Sequence, residues 1–308
     1  MEQKDAFLTP FVTRSHTGVY GIIRRGKELL LIKKARGPYT GLYDLPGGGP
    51  EAGETPEQTV AREIEEETQC RLEKVTRIGT KTIFFSDFTK ASGEVGCMQH
   101  TGTLFETVVS GEPTAVGDGR DSNGAVWVNV DELSSQNATP FALMAAGKEL
   151  ISLANKEDYP VDVGIRRAPR PDDRYIMIAG VLLFNSRGNL ILHRISHHKK
   201  VDAGRWSYSA AGHVDAGETY EQAAKRELKE ELGVEAQIDS FVGKTYTERE
   251  GRLVAFHHVF KVISDESVTP DPNEIEEIRE WSVPELRQAI AQHPEEFSAA
   301  FARIANQL

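Results

Sequence analysis

GGPEAGETPEQTVAREIEEETQC occupies residues 48–70, and GHVDAGETYEQAAKRELKEELGV occupies residues 212–234. Laying residue 48 on residue 212, an offset of 164, matches Gly48, Ala52, Gly53, Glu54, Thr55, Glu57, Gln58, Arg62, Glu63, Glu66 and Glu67 with identical residues at Gly212, Ala216, Gly217, Glu218, Thr219, Glu221, Gln222, Arg226, Glu227, Glu230 and Glu231. One structural unit is therefore written twice in this chain.

Each copy predicts a helix. Thr55 and Thr219 suit an N-cap, and Glu57 and Glu221 place negative charge in the first turn, where the helix dipole favours it. Val60, Ile64 and Thr68 fall four apart, as do Ala224, Leu228 and Leu232, which gives each helix a narrow stripe to bury. Glu63, Glu66 and Glu67 stand three and four apart on another face, and Glu227, Glu230 and Glu231 repeat the arrangement. Like charges so close repel one another, and a hard divalent cation with oxygen ligands is the natural compensation. A solvated acidic face would be the ordinary reading of one such run. The glycine-rich entry, the fixed Glu54 and Arg62, and the second copy argue against it.

The pattern of Gly, five residues, Glu, seven residues, then Arg-Glu-aliphatic-x-Glu-Glu-x-Gly-aliphatic resembles the box of the Nudix family. Residues 212–234 match it throughout. In the first copy Gln69 stands at the second glycine and Cys70 at the aliphatic position, which puts the turn after that helix in question and leaves the carboxylates intact. The resemblance implies two tandem α/β/α sandwiches with a mixed sheet, and hydrolysis of a diphosphate linkage in a nucleoside diphosphate derivative. It also implies Mg²⁺, with Mn²⁺ as an alternative, held by Gly48, Glu63, Glu66 and Glu67 and by Gly212, Glu227, Glu230 and Glu231. Glu54 with Arg62, and Glu218 with Arg226, would then be structural pairs.

A chain of 308 residues accommodates two domains, read as 1–156 and 174–308 with a linker at 157–173. The prolines and arginines of the linker segment show little periodicity. Around the first box, strands are expected over 7–12, through TGVYGIIR and KELLLIKKA, and over 75–85, 98–109 and 125–130. A polar turn at 90–96, a helical piece at 131–133 and a helix over 140–153 complete the half. The second half repeats the order, with strands at 175–184, 190–194, 238–247, 253–263 and 279–283 and helices from Pro284 onward.

The formal net charge of −11 speaks against broad binding to nucleic acid, a capped RNA end excepted, and against anionic membrane. No apolar run reaches the length of a membrane span, and the acidic start is unlike a secretory signal, so a cytoplasmic protein is expected. Cys70 and Cys97 are the only cysteines, which excludes a disulfide framework or a four-thiolate zinc site.

Candidates for the general base are Glu106, Asp118 and Asp121 in the first half and Glu248, Glu250, Glu274 and Glu277 in the second, each weighed against an ordinary surface role. Lys33, Lys34 and Arg36, and His193, Arg194, His197, His198, Lys199 and Lys200, could meet phosphates or serve as charged strand ends. Tyr39, Tyr43, Trp206 and Tyr208 are better read as packing than as base-stacking residues. The histidine pairs at 197–198 and 257–258 lack zinc spacing and read as surface or strand residues. Residues 205–218, RWSYSAAGHVDAGE, also resemble isopentenyl-diphosphate isomerases, in which a catalytic cysteine stands at the position of Ala211 and a metal-binding histidine at His213. Without the cysteine, hydrolysis is the expected chemistry. The competing readings are one catalytic domain beside a ligand-sensing or dimerising partner, and a regulatory protein of Nudix architecture. A homodimer and an internal pseudo-dimer both suit such a chain.

Overall fold

Glycine turns and β-branched runs lay out the first unit. The computed structural model of the chain describes residues 12–89, 95–115 and 122–308. Strand β1 (Val12–Arg25) reverses at Gly26, whose φ of +57° suits glycine, into β2 (Glu28–Lys34). Short strands β3 (Tyr43–Asp44) and β4 (Gly47–Gly48) lead to helix α1 (Pro56–Thr68). After it come β5 (Arg71–Thr89), β6 (Val95–Ser110), β7 (Ser122–Asn129), helix α2 (Pro140–Ala145), β8 (Leu150–Ala154) and β9 (Pro160–Ile165).

The sheet order is β3-β2-β1-β6-β5, with β4 on β1 and β7 on β2; β1 runs parallel to β6 and antiparallel to β2. Side chains alternate across this mixed sheet, so successive residues of β1 meet different layers. Gly21 lies under α1, where a Cβ would come 2.8 Å from Ile64 Cδ1. Tyr20 meets Phe141 of α2, ring centroids 5.4 Å apart. Helices thus cover both faces.

The second unit contains β10 (Tyr175–Phe184), β11 (Leu190–Ile195), β12 (Ala210–His213), α3 (Tyr220–Leu232), β13 (Ser240–Arg249), β14 (Arg252–Ile263), β15 (Ile275–Trp281), α4 (Val283–Gln292) and α5 (Ala299–Ala305). Its path is β13-β14-β10-β11-β15, with β12 on β10, and Ala154 and Leu153, the end of β8 that belongs to this unit, pairing with Tyr175 and Ile176. Trp206, Trp281, Leu286, Ile290, Phe297 and Phe301 form the core under α4 and α5.

Two expectations change. The helix expected over 140–153 stops at Ala145, and Gly147 (φ +72°) turns the chain into β8, whose five residues are all buried. The segment read as a linker holds β9 and the buried Asp158; chain contacts divide the molecule into Met1–Ser152 with Tyr159–Arg170, and Leu153–Asp158 with Pro171–Leu308. The polar residues of that segment hid partners that lie far away in sequence. The strand expected over 7–12 and the turn at 90–96 fall almost wholly outside the described residues.

Candidate functional site: two arginine-centred carboxylate clusters

Capping builds each site from its helix start. Thr55 and Gln58 form a reciprocal capping box, and Thr219 and Gln222 form another. The helix ends differ in residue and agree in conformation: Gln69 adopts the left-handed region (φ 60°, ψ 15°) that Gly233 adopts in the second unit (φ 71°, ψ 9°). The absent glycine leaves the turn in place at a cost of about 1 kcal/mol.

Arginine organises the acids. Arg62 donates to Glu54 (Nε to Oε1, 2.8 Å), Glu63 (Nη1 to Oε1, 2.9 Å), Glu66 (Nη1 to Oε2, 3.4 Å) and the Gly49 carbonyl. Arg226 repeats this with Glu218 (2.9 Å), Glu227 (2.6 Å), Glu230 (3.1 Å) and the His213 carbonyl (2.8 Å). The Arg62 guanidinium holds the Glu54 carboxyl down to about 2. Both structural pairs expected from the sequence are formed.

The last glutamate of each set turns inward. Glu67 accepts from the Gly47 backbone N–H at 2.8 Å, and Glu231 from that of Ala211 at 3.1 Å. Burial raises both carboxyls well above the usual range. Glu63 is also raised by burial, although Arg62 opposes the shift. Gly48 and Gly212 let the backbone pass directly against these acids. A Cβ on Gly48 would lie 2.6 Å from Glu63 Oε1, and one on Gly212 would collide with the Glu227 carboxylate.

The donor set fits a hard divalent cation. All side-chain donors are carboxylate oxygens, and Glu67 Oε1 is buried with no hydrogen-bond partner. Among the described residues no group of three or more His, Cys, Asp or Glu side chains is drawn together closely enough to hold a metal ion, so these carboxylates would have to regroup around one. Arg62 and Arg226 supply counter-charge to the outer two acids of each set.

The surrounding residues sort differently from the sequence expectation. Lys34 is half-buried, and its charge reaches Glu63, Glu67 and Asp44, whereas Lys33 and Arg36 are exposed. Lys199 pairs with Glu274, and both act on Glu231. His193 is buried, with Nδ1 3.0 Å from the Ser209 carbonyl and 3.8 Å from Glu231 Oε2, and burial lowers its pKa. It backs the site as a neutral ring and offers no cation to phosphate. Among the candidate bases, Glu106 pairs with Arg24, Glu248 with Arg303 and Glu277 with Arg194, while Glu250 sits in the β13–β14 turn. Glu274 is the one whose charge reaches Glu231. Asp118 and Asp121 lie outside the described residues.

Tyr39, Trp206 and Tyr208 are buried packing residues, and Tyr43 is half-buried in β3. His257 is buried against the Tyr208 hydroxyl and His258 against Asp158, while His197 faces Glu276. The sequence reading missed Asp44, fully buried in β3, where burial raises its carboxyl to about 6 and Thr139 Oγ1 donates to it at 2.5 Å. Its position four residues before the box glycine was the available signal.

Two repeats of an arginine-bound carboxylate ladder, each entered through a glycine on a mixed sheet, define a class, and the chain belongs to it. The NUDIX domain family matches residues 13–146 and again residues 174–301. This is a tandem Nudix hydrolase. An uncharacterised Nudix hydrolase of Pseudomonas aeruginosa is 34% identical over 139 residues, 44% of this chain and 79% of the relative. A Nudix hydrolase of Deinococcus radiodurans is 32% identical over 140 residues, 44% of this chain and 80% of the relative. An isopentenyl-diphosphate Delta-isomerase of Pectobacterium atrosepticum is 28% identical over 154 residues, 49% and 86% respectively. Among the described residues no helix is long and apolar enough to cross a membrane.

Proposed function

We propose that both units hydrolyse a diphosphate linkage in a small nucleoside diphosphate derivative, in the cytoplasm, with Mg²⁺ or Mn²⁺ as cofactor. Glu63, Glu66, Glu67 and the Gly48 backbone would hold the cation in unit 1, and Glu227, Glu230, Glu231 and the Gly212 backbone in unit 2. When bound, the cation supplies Lewis-acid polarisation of phosphoryl oxygens and makes water a stronger nucleophile. The chain supplies the rest. Arg62 and Arg226 fix the carboxylates in register, and the Gly47 and Ala211 N–H groups orient the buried acids. In unit 2, Glu274 is the carboxylate assigned to accept the proton from attacking water, with Lys199 beside it to position the carboxylate.

The carrying observation is the buried Glu67 oxygen with no partner, within a cluster that otherwise satisfies its polar groups. Release of nucleoside monophosphate or phosphate from nucleoside diphosphate derivatives, assayed with Mg²⁺ and with excess chelator, tests the reading. Turnover that requires the metal supports it. Metal-independent turnover, or none across the panel, contradicts it.

A further inference from the structure

Unit 2 carries a cleft of about 290 Å³ away from its carboxylate ladder. Its lining includes Lys156, Glu157, Asp158, Lys244, Tyr246 and Phe256, with Lys156 Nζ 3.6 Å from Glu157 Oε1. Tyr246 pairs in register with Phe256 across β13 and β14, and Lys244 lies two residues from Tyr246, so the three side chains share one face of the hairpin. Both rings are pinned. Arg303 Cζ sits 4.2 Å from the Tyr246 ring centroid, and Tyr175 meets Phe256 edge-on at 5.5 Å. The polar end is equally fixed: Asp158 is buried at 4% exposure and receives the Tyr220 hydroxyl at 2.7 Å, Lys244 Nζ at 2.6 Å and His258 Nε2 at 2.6 Å.

We propose that this cleft is a second ligand site, for a nucleoside monophosphate: a planar heteroaromatic ring bearing a phosphate. The ring packs on Phe256 and Tyr246, and the phosphate displaces the exposed Glu157 from Lys156 and shares Lys244 with Asp158. The volume lies at the small end of ligand pockets, about 300 Å³, and suits one base with its immediate substituents. Pinned walls lower the ordering cost of binding. The site is distinct from the hydrolytic one, because Tyr220 begins α3 and Glu227 lies seven residues along it, about 10 Å. Through the Asp158–Tyr220 hydrogen bond, occupancy reaches the first turn of the helix that carries the carboxylates. The inference does not depend on the proposed hydrolysis.

Calorimetric titration of the full chain with AMP, in chelator, tests it. The expected result is saturable binding that Tyr246→Ala and Lys156→Glu each weaken about tenfold or more, about 1.4 kcal/mol, and that Glu230→Gln leaves unchanged. Adenosine and inorganic phosphate should each bind about tenfold more weakly than AMP. Both substituted positions are exposed, and an unchanged melting temperature verifies that the variants fold. Absence of AMP binding overturns the proposal, as does affinity within about twofold of wild type in either cleft variant. A change of more than about twofold in either direction in Glu230→Gln would place AMP at the carboxylates, and phosphate binding as tightly as AMP would mark a bare anion site; either result also overturns it.

Discussion

Units 1 and 2 share a carboxylate cluster and differ in what faces it. In unit 1 the half-buried Lys34 points its charge at Glu63 and Glu67. In unit 2 Lys199 is neutralised by Glu274, and a neutral His193 backs Glu231. The packing beneath is exchanged as well. Tyr20 of β1 and Gly180 of β10 occupy equivalent register positions, paired with Gly47 and Ala211. Unit 1 fills the space over its sheet with Tyr20, whose hydroxyl reaches His100 Nε2 at 2.7 Å. Unit 2 fills it with Tyr208, which lies over Gly180 and reaches His257 Nδ1 at 3.2 Å. Because the ring comes from the other strand in unit 1, the position matching Tyr208 is free to hold Asp44. The carboxylate cluster is present in duplicate while its electrostatic surroundings differ, so the two-site proposal predicts that the units differ in substrate preference.

The largest expected effect separates the units by stability. Asp158→Ala removes a buried acid that satisfies three donors in unit 2 and should cost about 3–5 kcal/mol. Urea unfolding should then show unit 2 melting ahead of unit 1. A single unshifted transition would mean that the Asp158 cluster contributes little.

Acid should sharpen the comparison next. His100 and His257 are each buried with a folded pKa of about 3, below the unfolded value of about 6.5. Between these values the unfolded chain binds more protons, so stability is present above about pH 6.5 and falls as pH drops toward 3. Each histidine contributes up to about 1.4 kcal/mol per pH unit. His100→Gln should flatten the acid dependence of unit 1 alone, and His257→Gln that of unit 2 alone, in denaturant melts from pH 7 to pH 4.

Lys34→Ala should weaken turnover at site 1 about tenfold, about 1.4 kcal/mol of transition-state stabilisation, and leave site 2 unchanged. Steady-state kinetics in a Glu230→Gln background reads site 1 alone, and in a Glu66→Gln background site 2 alone. Equal loss at both sites would contradict the electrostatic distinction. The smallest effect concerns the helix ends. Gln69→Gly should stabilise unit 1 by about 1 kcal/mol through relief of the left-handed strain, and Gly233→Ala should destabilise unit 2 by a similar amount. Urea midpoints measure both.

Much of this was legible in the sequence because its causes are local. The N-cap threonines, the arginine–glutamate pairs and the ladder of acids all fall within twenty-odd residues, and both copies say the same thing. Asp158, Asp44 and His193 were not legible, because their roles arise from strands and helices far away in sequence. His193 reads as a cation until β11 buries it beside Ser209. Asp158 reads as a linker residue until Tyr220, Lys244 and His258 close around it. The helix expected over 140–153 failed because a composition rich in Ala and Leu suits a helix and a fully buried strand alike, and Gly147 decides between them.

Turnover of a panel of nucleoside diphosphate derivatives with Mg²⁺, compared among wild type, Glu66→Gln, Glu230→Gln and the double variant, tests the central claim most directly. Two working sites predict that each single substitution removes a different part of the substrate profile and that the double variant loses all metal-dependent activity. Loss of the whole profile from one substitution, with none from the other, would contradict it and leave one unit as a non-catalytic partner.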